Sequence, residues 1–197
     1  YASTININQT PAPAFTSTAP QCTGNAVAFN YTGTTGTGWT YNWDFGTGAT
    51  PALSSAQNPG NVMYSTAGTK TITLTVTNNG TCPQAITQTI TINQTAVASF
   101  TSTAPACTAD SVNFLNTGTT TGVTYAWNFG SGAIATFSMS IALNPTGVVY
   151  TTPGAKTVTH TVNNPLCGSI DVVTNVITIN PSPTATFIST APACMGS

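Results

Sequence analysis

The chain has 197 residues but carries only two cationic side chains, Lys70 and Lys156, and three carboxylates, Asp44, Asp110 and Asp171, for a net charge of −1. A sequence so poor in charge offers no electrostatic footprint for nucleic acid or anionic lipid, and no stretch approaches the roughly eighteen apolar residues of a membrane-spanning helix. Thr supplies about a fifth of the residues. With abundant Ser, Asn, Gly and Pro, it favours strands and turns over helices, so the predicted class is all-β.

In chain order, Ile5-Asn6-Ile7-Asn8-Gln9-Thr10 reads as a short alternating strand, and its copy at Ile90-Thr91-Ile92-Asn93-Gln94-Thr95 closes a longer unit. Phe15-Thr16-Ser17-Thr18-Ala19-Pro20-Gln21-Cys22 returns at Phe100 to Cys107 and again at Phe187 to Cys194, in steps of 85 and 87 residues. Between these markers the apolar residues alternate with polar ones, as in half-buried strands. Val27 and Phe29 form one such run, Trp39, Tyr41, Trp43 and Phe45 a second, and Ile72, Leu74 and Val76 a third. A last run carries Ile86, Ile90 and Ile92. Tyr41 to Gly48 recurs as Tyr125 to Gly132, and Gly68 to Thr73 as Gly154 to Thr159. The predicted organisation is therefore residues 1–9 as the last strand of a preceding repeat, 10–93 and 94–180 as complete repeats, and 181–197 as the start of a third. With no initiator Met and no leader in view, the sequence reads as a window on a longer periodic chain.

Each repeat predicts about seven short strands with one apolar and one hydroxyl-rich face, the pattern of an immunoglobulin-like sandwich. The motif Trp-Asp-Phe-Gly-x-Gly at Trp43 to Gly48, followed by Tyr64 and Gly68, resembles the PKD domain. The second copy runs from Trp127 to Gly132, with Tyr150 and Gly154. The resemblance is closest to Cys-containing PKD domains found in tandem in bacterial surface proteins. It implies tandem PKD-like sandwiches that serve spacing, adhesion or scaffolding, and it carries no catalytic residue. The family's usual second Asp is replaced by Thr47 and Ser131, and its first by Asn128 in the second repeat, so the cation binding associated with those acids is not expected here.

The remaining chemistry is sparse. Carboxylate catalysis needs a pair, or one acid beside a base. The first repeat holds only Asp44, predicted to support the turn that follows it. Asp110 and Asp171 read as turn residues. His160 stands where the first repeat has Leu74, so it is expected to be a buried neutral core residue between Val158 and Val162. The Gly-rich runs 32–38 and 117–122 lack the Lys of a phosphate-binding loop and connect strands. Trp39 and Tyr41 fall on the core face rather than in a sugar-stacking row. No catalytic, metal or cofactor site is predicted.

Cys22 and Cys82 lie 60 residues apart, as do Cys107 and Cys167. That equal spacing predicts one disulfide within each repeat, Cys22–Cys82 and Cys107–Cys167, with Cys194 unpaired, and an oxidising compartment. Asn8, Asn30, Asn79 and Asn93 head N-glycosylation sequons, and Asp110-Ser111-Val112 resembles a short O-glycosylation signal at Ser111. A surface with so few charges self-associates unless it is coated. The expected function is a non-enzymatic structural repeat of a secreted, glycosylated fibre or cell-surface adhesin that self-associates, located outside the cell. The alternatives are a carbohydrate-binding module and a passive spacer.

Overall fold

The computed structural model describes residues 9–134 and 139–188. All but Gln9 of the strand predicted over residues 1–9, the Asn8 sequon and Cys194 lie outside the described residues. Among the described residues there is no helix. The first sandwich is built from β1 (Phe15–Ser17), β2 (Gln21–Cys22), β3 (Ala26–Tyr31), β4 (Trp39–Asp44), β5 (Ala49–Thr50), β6 (Leu53–Ser54), β7 (Gly60–Tyr64), β8 (Gly68–Asn78) and β9 (Thr81–Asn93). One sheet has the order β1-β3-β7-β5 and the other β2-β9-β8-β4-β6. All pairs are antiparallel except β2–β9, where the chain crosses over so that Cys22 lies beside Asn93. Among the described residues each unit has nine strands rather than about seven, because several strands are divided into two-residue pieces.

The second sandwich repeats this plan with β10 (Phe100–Ser102), β11 (Ala106–Cys107), β12 (Ser111–Val112), β13 (Phe114–Asn116), β14 (Thr124–Asn128), β15 (Met139–Ser140), β16 (Val148–Val149), β17 (Gly154–Asn164) and β18 (Ser169–Asn180). Its larger sheet, β11-β18-β17-β14-β15, matches the first strand for strand. Its other sheet is divided into β10-β13 and β12-β16. The ladder is interrupted at Asn113, whose Oδ1 accepts from the backbone of Gly147 while Phe114 N–H turns to the Pro145 carbonyl.

Period-2 alternation builds both cores. In β8 the residues Ile72, Leu74 and Val76 are fully buried, and the intervening Thr face outward. Trp43 stacks on Phe45 at 5.8 Å and meets Phe15 edge-on at 5.1 Å. Trp127, Phe129 and Phe100 repeat this cluster. The buried indole N–H groups are satisfied by Ala56 and Ala142 carbonyls, each at 2.9 Å. Buried Tyr64 and Tyr150 each donate a 3.0 Å hydrogen bond to the carbonyl of Phe45 and of Phe129 respectively, at the residue that follows β4 or β14. Burial pushes both phenols up to about 12, with Asp44 adding to the effect at Tyr64.

His160 lies on β17 with no exposed surface, its ring stacked on Trp127 at 3.7 Å with a 10° interplanar angle and further flanked by Tyr125 and Phe100. Neither ring nitrogen has a hydrogen-bond partner, and burial pushes its pKa down to about 4.

Candidate functional site at the junction between sandwiches

The residues with most to say about function gather where one sandwich meets the next. The connecting segment after Asn93 is only six residues long before β10 begins, and both sandwiches hold it. On the first side, the Thr23 and Thr95 hydroxyls lie 2.8 Å apart, and Thr95 Oγ1 donates to the Thr23 carbonyl at 2.9 Å. On the second side, buried Asn164 donates from Nδ2 to the Gln94 carbonyl at 2.8 Å. Ser169 Oγ accepts from Ala96 N–H at 3.0 Å, and Asp171 Oδ2 accepts from Ala98 N–H at 2.8 Å. Asp171 is therefore not the hairpin-turn residue expected from sequence. It stands within β18 and anchors the incoming chain. The clamp is periodic: Asn78, the counterpart of Asn164, donates at 2.7 Å to the carbonyl of Gln9, the counterpart of Gln94.

The junction is also covalent. Cys22 of the first sandwich is bonded to Cys167 of the second, with Cα atoms 5.5 Å apart and a sequence separation of 145. This corrects the expected pairs Cys22–Cys82 and Cys107–Cys167. The reason is the direction of the strands. Cys22 sits beside Asn93 at the end of β9, whereas Cys82 sits at its beginning. Eleven residues of strand at about 3.3 Å each separate the two positions by ~36 Å, far beyond disulfide reach. The β17–β18 hairpin points back towards the first sandwich, so Cys167 reaches Cys22. Leu166, beside it at the same hairpin tip, lies along a groove of the first sandwich lined by Ser17, Ala19, Pro20 and Ile90. Cys82 is exposed and Cys107 half-buried, both as free thiols.

The other singled-out residues are dispersed. Asn30, Asn79 and Ser111 are exposed, at the outer face of β3, the β8–β9 turn and the start of β12, while Asn93 is half-buried in the junction. Asp44 Oδ1 accepts from Gly46 N–H at 2.8 Å, and Asn128 Oδ1 accepts from Gly130 N–H at 2.9 Å. Acid and amide thus do the same turn-closing work, and the bond needs no charge. Tyr41 packs edge-on against Tyr31 at 5.0 Å, and Trp39 lies partly buried on the core. Among the described residues no three of His, Cys, Asp and Glu gather where a metal could be held.

Lys70 and Lys156 are both buried. Each Nζ donates to a Thr hydroxyl, Thr66 or Thr152, at 2.8 Å and lies 5.9 Å from the ring centre of Tyr64 or Tyr150. Their sequence phase gave the clue, because Lys70 and Asn78 flank Ile72, Leu74 and Val76 at even spacing on one strand.

Residues 8–94 match the PKD domain family. No curated protein matches the chain in sequence. Among solved structures, the PKD1 domain of Vibrio anguillarum Epp is 28% identical, over 46% of this chain and 99% of that one, with a TM-score of 0.37. The D00-D0 domain of intimin is 12% identical, over 85% of this chain and 99% of that one, at 0.49. A structure described for carbohydrate-binding modules of the β-sandwich superfamily is 17% identical, over 89% and 86% of the two chains, at 0.39.

Proposed function

From PKD-like, immunoglobulin-type sandwiches joined in tandem, we propose that the chain is a structural repeat of an extracellular fibre or cell-surface adhesin, with no catalytic role. The observation that carries this reading is the junction. A six-residue linker held from both sides, together with a disulfide across it, fixes each sandwich to its neighbour. A protein that merely displayed independent binding modules would gain nothing from such a joint, whereas a rod depends on it. The disulfide also fits an oxidising compartment outside the cell.

Solubility bears on the same reading. Both Lys are buried, so the described surface has almost no cationic side chain to blunt its strand edges. Self-association into a filament and a coat of glycans on exposed Asn, Thr and Ser are the two remedies open to this composition, and they are compatible. Asn30, Asn79 and Ser111 are accessible acceptors, whereas half-buried Asn93 at the junction is a poor one.

Electron microscopy of native material is the direct test, with fibres as the expected result. Intact mass of the same material reports the coat, and a mass equal to the bare polypeptide removes the glycans from the proposal. Native protein that stays monomeric at high concentration refutes the fibre and leaves the spacer reading.

A further inference from the structure

The second sandwich carries a copy of the socket that holds the disulfide in the first. Around Cys22, the backbone N–H of Thr23 donates to the Asn93 carbonyl at 2.9 Å, that of Gly24 to Tyr64, and that of Asn25 back to Cys22. Around Cys107, Thr108 donates to Asn180 at 2.9 Å, Ala109 to Tyr150, and Asp110 back to Cys107. Both cysteines lie in two-residue strands paired in parallel with the end of the last strand, Cys22 beside Asn93 and Cys107 beside Asn180. The linker is in place as well. Ser182 meets Thr108 as Thr95 meets Thr23, with hydroxyls 2.9 Å apart and Ser182 N–H donating to Thr108 Oγ1 at 3.1 Å.

What differs is the cover. Cys22 is 2% exposed because the next hairpin sits on it, whereas Cys107 is half-buried. The groove that Leu166 lies along in the first sandwich has its counterpart in the second, lined by Phe100, Ser102, Ala104, Pro105 and Ile177, with no hairpin residue along it among the described residues. At the other end of the pair, Cys82 stands exposed just past the Asn79–Gly80 turn, on the hairpin matching the one that carries Cys167.

We infer that Cys107 is a covalent docking site for the hairpin cysteine of a following sandwich on the same polypeptide, and that Cys82 makes the reciprocal bond to a preceding one. The partner lies on the same chain because Ser182 already holds the linker that leads onward from the socket. Each bond forms when two thiols lose their protons to solvent and their two electrons to a protein or small-molecule disulfide, which is reduced to two thiols as the S–S bond closes. Successive sandwiches are then stapled at every joint, each unit giving one sulfur forwards and one backwards. The inference depends on the equivalence of the two sockets and not on filament formation, so it stands or fails apart from the fibre.

The test uses native full-length protein, alkylated with iodoacetamide before any reduction and then digested. The expected result is Cys82 and Cys107 unalkylated, with Cys107 joined to a peptide carrying a hairpin cysteine and Cys82 to one carrying an Ala-Pro-x-Cys segment. Denaturing electrophoresis without reductant should show a single-chain species, whereas a ladder of multimers refutes the in-chain assignment. Cys107→Ser should expose one additional hairpin thiol to alkylation while Cys22–Cys167 stays closed. Alkylated Cys107 in the native protein, or a Cys82–Cys107 bond within the chain, overturns the proposal.

Discussion

Replacing His160 by Leu, the residue at its position in the first sandwich, isolates the effect of one buried imidazole. The ring is flanked by Phe100, Tyr125 and Trp127, and both nitrogens are unpartnered, so the native fold admits only the neutral form easily. With the pKa near 4 in the folded state against about 6.5 unfolded, the unfolded chain binds the extra proton throughout that window. Stability is thus intact above pH 6.5 and falls as the pH drops towards 4. The window is worth about 1.4 kcal/mol for each pH unit, or ~3 kcal/mol in all. At neutral pH His160→Leu should gain about 1–3 kcal/mol by removing an unsatisfied polar group, offset in part by the lost ring stack. Hydrogen exchange read separately on β17 and β8, and corrected for the intrinsic pH dependence of exchange, reports each sandwich. The expected result is acid loosening of β17 in the wild type that the variant lacks. Equal pH dependence in wild type and variant refutes the reasoning.

Tyr64→Phe and Tyr150→Phe each remove a buried donor and strand a carbonyl, and should cost about 1–2 kcal/mol in urea unfolding. Asp44→Asn should stay within ~0.5 kcal/mol of wild type, because Asn128 already makes the same bond, and added calcium should leave the melting temperature unchanged. Gly130→Ala should lose at least ~2 kcal/mol, since its φ is +76° and a Cβ would lie 2.5 Å from the Thr157 carbonyl oxygen. Opening Cys22–Cys167 with reductant, or by Cys167→Ser, removes a 145-residue cross-link worth ~5 kcal/mol in the chain-entropy picture, and calorimetry with and without reductant should show a lower transition.

The strands, the two cores and the inward His160 were legible because alternation and repetition carry them. A residue in phase with Ile72 and Leu74 is inside whatever its type, and Lys70 obeyed that phase although its charge argued against it. The disulfide was not legible, for a reason particular to repeats. Cys22 and Cys107 recur at the period of the chain, and so do Cys82 and Cys167. A constant 60-residue spacing therefore fits a bond within a unit as well as one displaced by a whole period. Only strand direction, which puts the two cysteines of one unit at opposite ends of β9, decides between them. Asp171 was misread because the turn beside it is longer than in the first repeat, with four residues between Asn164 and Ser169 where Asn78 and Thr81 enclose two.

The displaced bond also changes what a single cut can do. Every peptide bond from Cys22 to Cys167 lies inside one covalent ring, so a protease that nicks any loop between them leaves both pieces attached. Tension across the joint divides in the same way, with one path through the linker and another through the sulfurs. A pull that begins to open the first sandwich is shunted to the second before residues 23–93 can pay out.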